Sequence, residues 1–338
     1  MIKPLSLTAS LLACLVLSLT VTAASVPVVN TRSTCSKIQV RREWRDLAID
    51  QRLGYIKAVL CLQSLPPTDT TRTATTRFEE FQATHIYLTE RIHSVGQFLP
   101  WHRHLVTLYN NALREECGYH GPETFWDWTR DGDSNRPILE SPIFDPVTGF
   151  GGDGVPGTYT LPPDPDGLSS VPFPARWKGC VQDGPFNATV INLGPGRLLT
   201  KHCLVRDIDE SWKFTMTSEN VAKQMDASKT YEQFRVIIDN LVNGIHGSGH
   251  VLVGGEMTNT YSADPLFYMH HSNLDRFWWK WQMVDPENRM FDVSGPTTQT
   301  GKVEVTLDFE LDFPALSHNY TVRDIMDPSV GPGCFVYE

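Results

Sequence analysis

Stretches of helical periodicity alternate along this chain with stretches rich in Gly, Pro, Asp and Ser. In "CSKIQVRREWRDLAIDQRLGYIKAVLCL", Val40, Trp44, Leu47, Tyr55, Ile56, Val59 and Leu60 fall near a 3.6-residue period, which predicts a helical region that Pro66 and Pro67 stop. A second helix is expected over roughly 76–93. A third follows "FLP" and runs through "WHRHLVTLYNNALREECGY", with Leu105, Leu108, Tyr109, Ala112 and Leu113 on one stripe. Helical signal returns in "TYEQFRVIIDNLVNGIHGSGH", where Thr230 and Gln233 fit a capping box and Phe234, Ile237, Ile238 and Leu241 form the apolar stripe. A last helix covers "DPLFYMHHSNLDRFWWKWQ", and the alternation in "KVEVTLDFELDFPAL" predicts strands. Between Gly132 and about Pro174 the composition turns to loop formers, read as a surface excursion within one domain.

The first residues change the picture of compartment. Lys3 precedes the apolar run "LSLTASLLACLVLSLTVTAA", and Val21 and Ala23 are placed for cleavage, so residues 1–24 are expected to be a secretory signal and 25–338 the exported chain. Setting Cys14 aside with the signal leaves Cys35, Cys61, Cys117, Cys180, Cys203 and Cys334, an even set suited to an oxidising compartment, with the pairing open. "NAT" at Asn187 and "NYT" at Asn319 are candidate glycosylation sites. A net charge of −10 without a basic run argues against nucleic acid, and no later stretch is apolar enough to span a bilayer. The oligomeric state is left open.

Candidate chemistry lies in the histidines. "THIYLTERIHSVGQFLPWHRH" holds His85, His93, His102 and His104, and the second half holds His246, His250, His270 and His271. His246 and His250 stand four apart, which on a helix puts both imidazoles on one face, and His271 completes a set of three nitrogens. His102 and His104 are two apart, so one of them is a bystander. Imidazole-only coordination suits copper, zinc, iron or nickel. Two such clusters in one domain point to a binuclear centre.

His93 with "SVGQFLPWHR", which ends in His102 and Arg103, closely resembles the first copper motif of the type 3 copper proteins: tyrosinases, catechol oxidases and haemocyanins. "DPLFYMHHSNLD" resembles the second, and "FWDWTRD", "GFGGDG" and "CFVYE" resemble landmarks of the short secreted fungal members. The resemblance implies a mainly α fold, a four-helix bundle core holding two copper ions, with long loops and a few short strands. It implies His85, His93 and His102 as ligands of one copper, and His246, His250 and His271 of the other. It leaves His270 aside, makes Asp275 a carboxylate that orients a ligand imidazole, and places Phe98 and Phe267 at the walls. Glu232 and Gln233 are candidates for holding a water that takes the phenol proton. Gly247, Val251, Phe267 and Tyr261 are candidates for the substrate pocket.

The implied activity is oxidation of small o-diphenols, and of o-aminophenols, to o-quinones with reduction of O2 to water. Three positions depart from the pattern: Asn110 replaces a glutamate, Ala83 stands where a cysteine would form a thioether with His85, and Gly247 stands where efficient monophenol hydroxylases carry asparagine. The chain ends soon after "CFVYE", where no C-terminal lid domain is expected. The competing readings are a true tyrosinase, an oxygen carrier of the haemocyanin type and a zinc hydrolase. The last lacks a His-Glu-x-x-His base motif.

Overall fold

The computed structural model describes residues 35–70, 72–163, 176–240, 244–258 and 262–338. The expected signal at 1–24, Leu241 of the predicted stripe and Tyr261 of the predicted pocket lie outside them. Helices dominate: α1 (Ile49–Ser64), α2 (Arg77–Ile92), α3 (Phe98–Glu115), α4 (Thr129–Gly132), α5 (Ser218–Asp226), α6 (Tyr231–Ile238), α7 (Ile245–Val253) and α8 (Leu266–Val284). The predicted bundle is present, with α2, α3, α7 and α8 packed together around the histidines.

Local chemistry explains where these helices start and stop. Thr76 caps α2 by accepting from the Glu79 amide at 3.1 Å. Pro100 sits in the first turn of α3, where its missing N–H costs nothing. The Asp264 carboxylate accepts from the Leu266 amide at the start of α8 and is itself held by the buried guanidinium of Arg206 at 2.7 Å. The Thr230–Gln233 capping box opens α6 as expected.

Three expectations need correction. The region before α1 is not helical: Gln39–Glu43 is a strand and Trp44–Asp46 a single 3-10 turn, so Val40 lies exposed on a strand while Trp44 is fully buried. That strand is the middle of a parallel three-stranded sheet, with Thr124–Phe125 on one side and Phe335–Tyr337 on the other. The helix expected from Thr230 to His250 is broken at Asp239, and α7 restarts at Gly244. A Cβ on Gly244 would lie 2.4–2.6 Å from three carbonyl oxygens of the preceding turn, so the restart requires glycine. In the tail, burial alternates as predicted, with Val305, Leu311 and Phe313 inward, but only Glu310–Leu311 pairs as a strand, against Tyr320–Thr321.

The Gly/Pro-rich excursion is more than a surface loop where it is described. Ile138, Ile143, Phe144 and Phe150 are buried in the main core, the last against Trp44 and Phe186. All six cysteines close into Cys35–Cys334, Cys61–Cys117 and Cys180–Cys203. The first joins the segments leading into the paired strands Gln39–Glu43 and Phe335–Tyr337, and none of the six leaves a thiol to bond a histidine.

Candidate metal centre

His85 lies in the middle of α2, His93 at its C-cap and His102 in the second turn of α3. His246 and His250 come from α7, four residues and one helical turn apart, and His271 comes from α8. Within each triad the donor nitrogens lie within 4.8 Å of one another, and all six rings are buried. The triads face each other across the bundle. His102 and His271 stack with ring centroids 4.5 Å apart, and His93 and His246 lie nearly parallel at 5.8 Å. The structure thus brings together all six histidines singled out in the sequence.

Hydrogen bonds behind the rings decide what the rings present in front. The Nδ1 atoms of His93, His102 and His250 meet the backbone carbonyls of Thr89, Phe98 and Met257 at 2.9, 2.8 and 2.5 Å. A carbonyl only accepts, so each Nδ1 carries the hydrogen, and each neutral ring turns an Nε2 lone pair inward. Burial, and the neighbouring His246, push His93 down to about 4. Burial and nearby imidazoles also hold His102, His250 and His271 well below the ordinary histidine value. These rings are therefore neutral at pH 7.

The inward Nε2 atoms crowd: His102 to His85 at 3.3 Å, His250 to His246 at 3.0 Å and His271 to His250 at 3.2 Å. Nitrogen lone pairs so close repel one another unless a cation lies between them. His93 Nε2 has no hydrogen-bond partner among the described residues. Two clusters of three imidazoles each, with no carboxylate or thiolate among their donor atoms, fit a pair of imidazole-loving transition-metal ions. The residues present fit copper.

The bystanders are also settled. His104 points away from the centre, its ring against Phe313 and Tyr320, and burial, with His318 second, pushes it to about 3. His270 has the opposite tautomer to the ligands: Trp128 donates to its Nδ1 at 3.2 Å, so its Nε2–H is left to donate to the His246 carbonyl at 3.1 Å. It is a wedge between α7 and α8, set so close that a Cβ on Gly249 would lie 2.2 Å from its ring.

Asp275 does not orient an imidazole. Its carboxylate accepts from Arg103 Nε at 2.5 Å, from the Tyr337 hydroxyl at 2.5 Å and from Arg41 at 3.3 Å, so it fixes the arginine that follows His102. Glu232 is paired with Arg235, and the Gln233 amide oxygen is spent on the cap of α6, so neither offers a free acceptor to the centre. Asn110 donates to Glu123 beneath α3.

Phe98 lies 4.8 Å from both His102 and His246, and Phe267 lies 4.3 Å from His271 and 4.9 Å from His85, so both wall the centre. Gly247 and Val251 are buried on α7 between and beyond its two histidines. The sequon residues Asn187 and Asn319 are exposed.

One functional residue escaped the sequence reading. Asp239 accepts from His246 Nδ1 at 3.0 Å and, with its other oxygen, from the Ser94 amide at 2.8 Å. The only signal for it was the spacing of a carboxylate seven residues before His246. The expected continuous helix hid that signal.

Comparison with known proteins agrees with the geometry. Residues 75–284 match the common central domain of tyrosinase. The chain is 33% identical to a tyrosinase P of Aspergillus terreus, over 90% of this chain and 93% of that one. It is 34% identical to an N-acetyl-6-hydroxytryptophan oxidase of Emericella nidulans, over 97% of this chain and 99% of the other. A mutant polyphenol oxidase from Thermothelomyces thermophila superposes with a TM-score of 0.78 at 28% identity, covering 91% of this chain and 90% of its own. Two facing triads of buried, inward-turned imidazoles in a helical bundle make this match one of chemistry as well as sequence: the chain belongs to the tyrosinase family and is a type 3 copper oxidoreductase.

Proposed function

We propose that the protein oxidises o-diphenols to o-quinones and reduces O2 to water, with His85, His93 and His102 holding one copper and His246, His250 and His271 the other. The balance is two catechols and one O2 giving two o-quinones and two waters. Each catechol gives up two electrons and two protons. The copper pair supplies the path by which those electrons reach oxygen.

The protein's own residues do the rest. Neutral imidazoles locked by Thr89, Phe98 and Met257 present their lone pairs without reorganisation. Phe98 and Phe267 exclude water beside the rings. Val251 and Gly247 bound the α7 side of the space open to substrate. Removal of residues 1–24 leaves 25–338 as an exported copper domain carrying glycans at Asn187 and Asn319.

The observation that carries the diphenol reading is Gly247, directly after His246. It offers no polar side chain to hold a water that would strip the proton from a monophenol. Glu232 and Gln233 are engaged elsewhere. A catechol is more acidic and already carries both hydroxyls, so it suffers less from that lack.

Steady-state rates on tyrosine and on its catechol test this. The catechol is expected to turn over far faster. Comparable rates without a long lag would show a true tyrosinase. Gly247→Asn is expected to raise the monophenol rate selectively, and no change would remove the physical basis of the preference. An o-aminophenol and 6-hydroxyindole belong in the same panel, the latter because of the name of the Emericella relative.

A further inference from the structure

We infer that Asp239 is a positioning residue that fastens the two copper half-sites to each other and makes them unequal. The inference rests on the copper reading above and concerns how the chain's own residues hold that pair.

Asp239 ends α6, in the break where the chain turns before α7 begins at Ile245. Its side chain is 3% exposed. One oxygen accepts from Nδ1 of His246, the first histidine of the second triad, at 3.0 Å. The other accepts from the backbone N–H of Ser94 at 2.8 Å. Ser94 follows His93 directly, and its φ of 58° lies in the left-handed region that residues other than glycine rarely adopt. The turn that aims His93 is thus held by the same carboxylate that aims His246. The two rings it controls are the ones that face each other nearly parallel, 5.8 Å apart across the centre.

The asymmetry follows from the partners. His93, His102 and His250 rest on neutral carbonyls, whereas His246 rests on an anion. A carboxylate behind an imidazole strengthens its Nε2 as a donor to a metal and fixes the ring orientation. The second triad therefore owes more of its grip to one residue than the first does. Removing the negative charge loosens the second copper selectively. Removing the whole side chain also frees the turn after His93 and loosens both.

The test is copper retained per chain by purified holoprotein against a graded series of a chelator, read by atomic absorption, for wild type, Asp239→Asn and Asp239→Ala. Near-UV circular dichroism of each variant reports the fold. The asparagine is nearly isosteric, and its carbonyl still accepts from Ser94, so it decides the matter even if the alanine variant fails to fold. Asp239→Asn is expected to release one of its two coppers at about 10–100-fold lower chelator than wild type, with the other retained as in wild type. Electron paramagnetic resonance of that half-loaded protein is expected to show an isolated Cu(II). Asp239→Ala is expected to release both ions early. If wild type holds two coppers and Asp239→Asn holds both equally well, the inference is wrong and the copper reading stands. If wild type itself binds no copper, the reading beneath it fails and the inference falls with it.

Discussion

Replacing Asp275 by asparagine removes one negative charge from a buried carboxylate shared by two arginines and a tyrosine. Asp275 accepts from Arg103 at 2.5 Å, the Tyr337 hydroxyl at 2.5 Å and Arg41 at 3.3 Å, and Arg103 and Arg41 are at most 1% exposed at their side chains. Arg103 keeps neutral acceptors, the Met326 carbonyl at 2.6 Å and the Gln282 amide at 3.0 Å, and Arg41 keeps Glu123 at 2.8 Å. Neither arginine can reach water in place of the lost charge. Breaking a buried pair by neutralising one partner costs about 3–5 kcal/mol. At about 2–4 °C per kcal/mol for a large domain, the melting temperature should fall by roughly 6–20 °C.

The assay is urea denaturation of the copper-free protein followed by tryptophan fluorescence. Asp308→Asn serves as the control, because its pair with Arg323 is 79% exposed on the aspartate side and should change stability by no more than about 0.5 kcal/mol. A loss below about 1 kcal/mol in Asp275→Asn would refute the reasoning that Asp275 on α8 is a main fastening of Arg103 on α3 and of Arg41 and Tyr337 in the sheet.

Two further outcomes follow from the buried histidines. Copper-free protein should lose stability as pH falls from about 6.5 towards 4, because the unfolded chain takes up protons there that His93, at about 4, and the still lower His102, His250 and His271 refuse in the fold; His104, at about 3, adds to the effect, each group contributing about 1.4 kcal/mol per pH unit. Melting temperatures at pH 7.5, 6 and 5 check this, and a rise on acidification would contradict it. Gly249→Ala places a Cβ 2.2 Å from the His270 ring, so it should break the bonds to Trp128 and the His246 carbonyl and strain α7 against α8, at about 3–5 kcal/mol in denaturation. A loss under about 1 kcal/mol would show that the wedge yields freely.

The sequence revealed the ligands because helical spacing is a local property: His246 and His250 share a face whatever lies around them. Spacing alone also showed that only one of His102 and His104 could face the centre, and the motif resemblance chose His102, as found. Neighbours distant along the chain were not legible. Asp275 sits one turn from His271, which suggested an imidazole partner, but its real partners are Arg41, Arg103 and Tyr337, gathered by a sheet that pairs the two ends of the chain. Asp239 was hidden by a helix pattern that runs unbroken in sequence and breaks in space, where Gly244 lets the turn pack against carbonyls. The tail shows the reverse error. Alternation predicted which residues of 302–316 point inward, since Phe313 stacks on Trp101 at 5.3 Å, but the backbone partners along this segment are short: Gly295–Thr297 beside Val303–Val305 and Tyr320–Arg323 beside Leu307–Leu311, so only isolated pairs form.

The central claim is that two facing triads bind a copper pair, and copper content tests it most directly. Purified protein loaded with copper and freed of loosely bound metal should hold two ions per chain and consume O2 with catechol. His250→Ala, which removes a ring whose Nε2 lies 3.0 Å from that of His246 and 3.2 Å from that of His271, should lose the pair and the oxygen uptake together. Two coppers retained in His250→Ala, or none bound by the unaltered protein, would contradict the account.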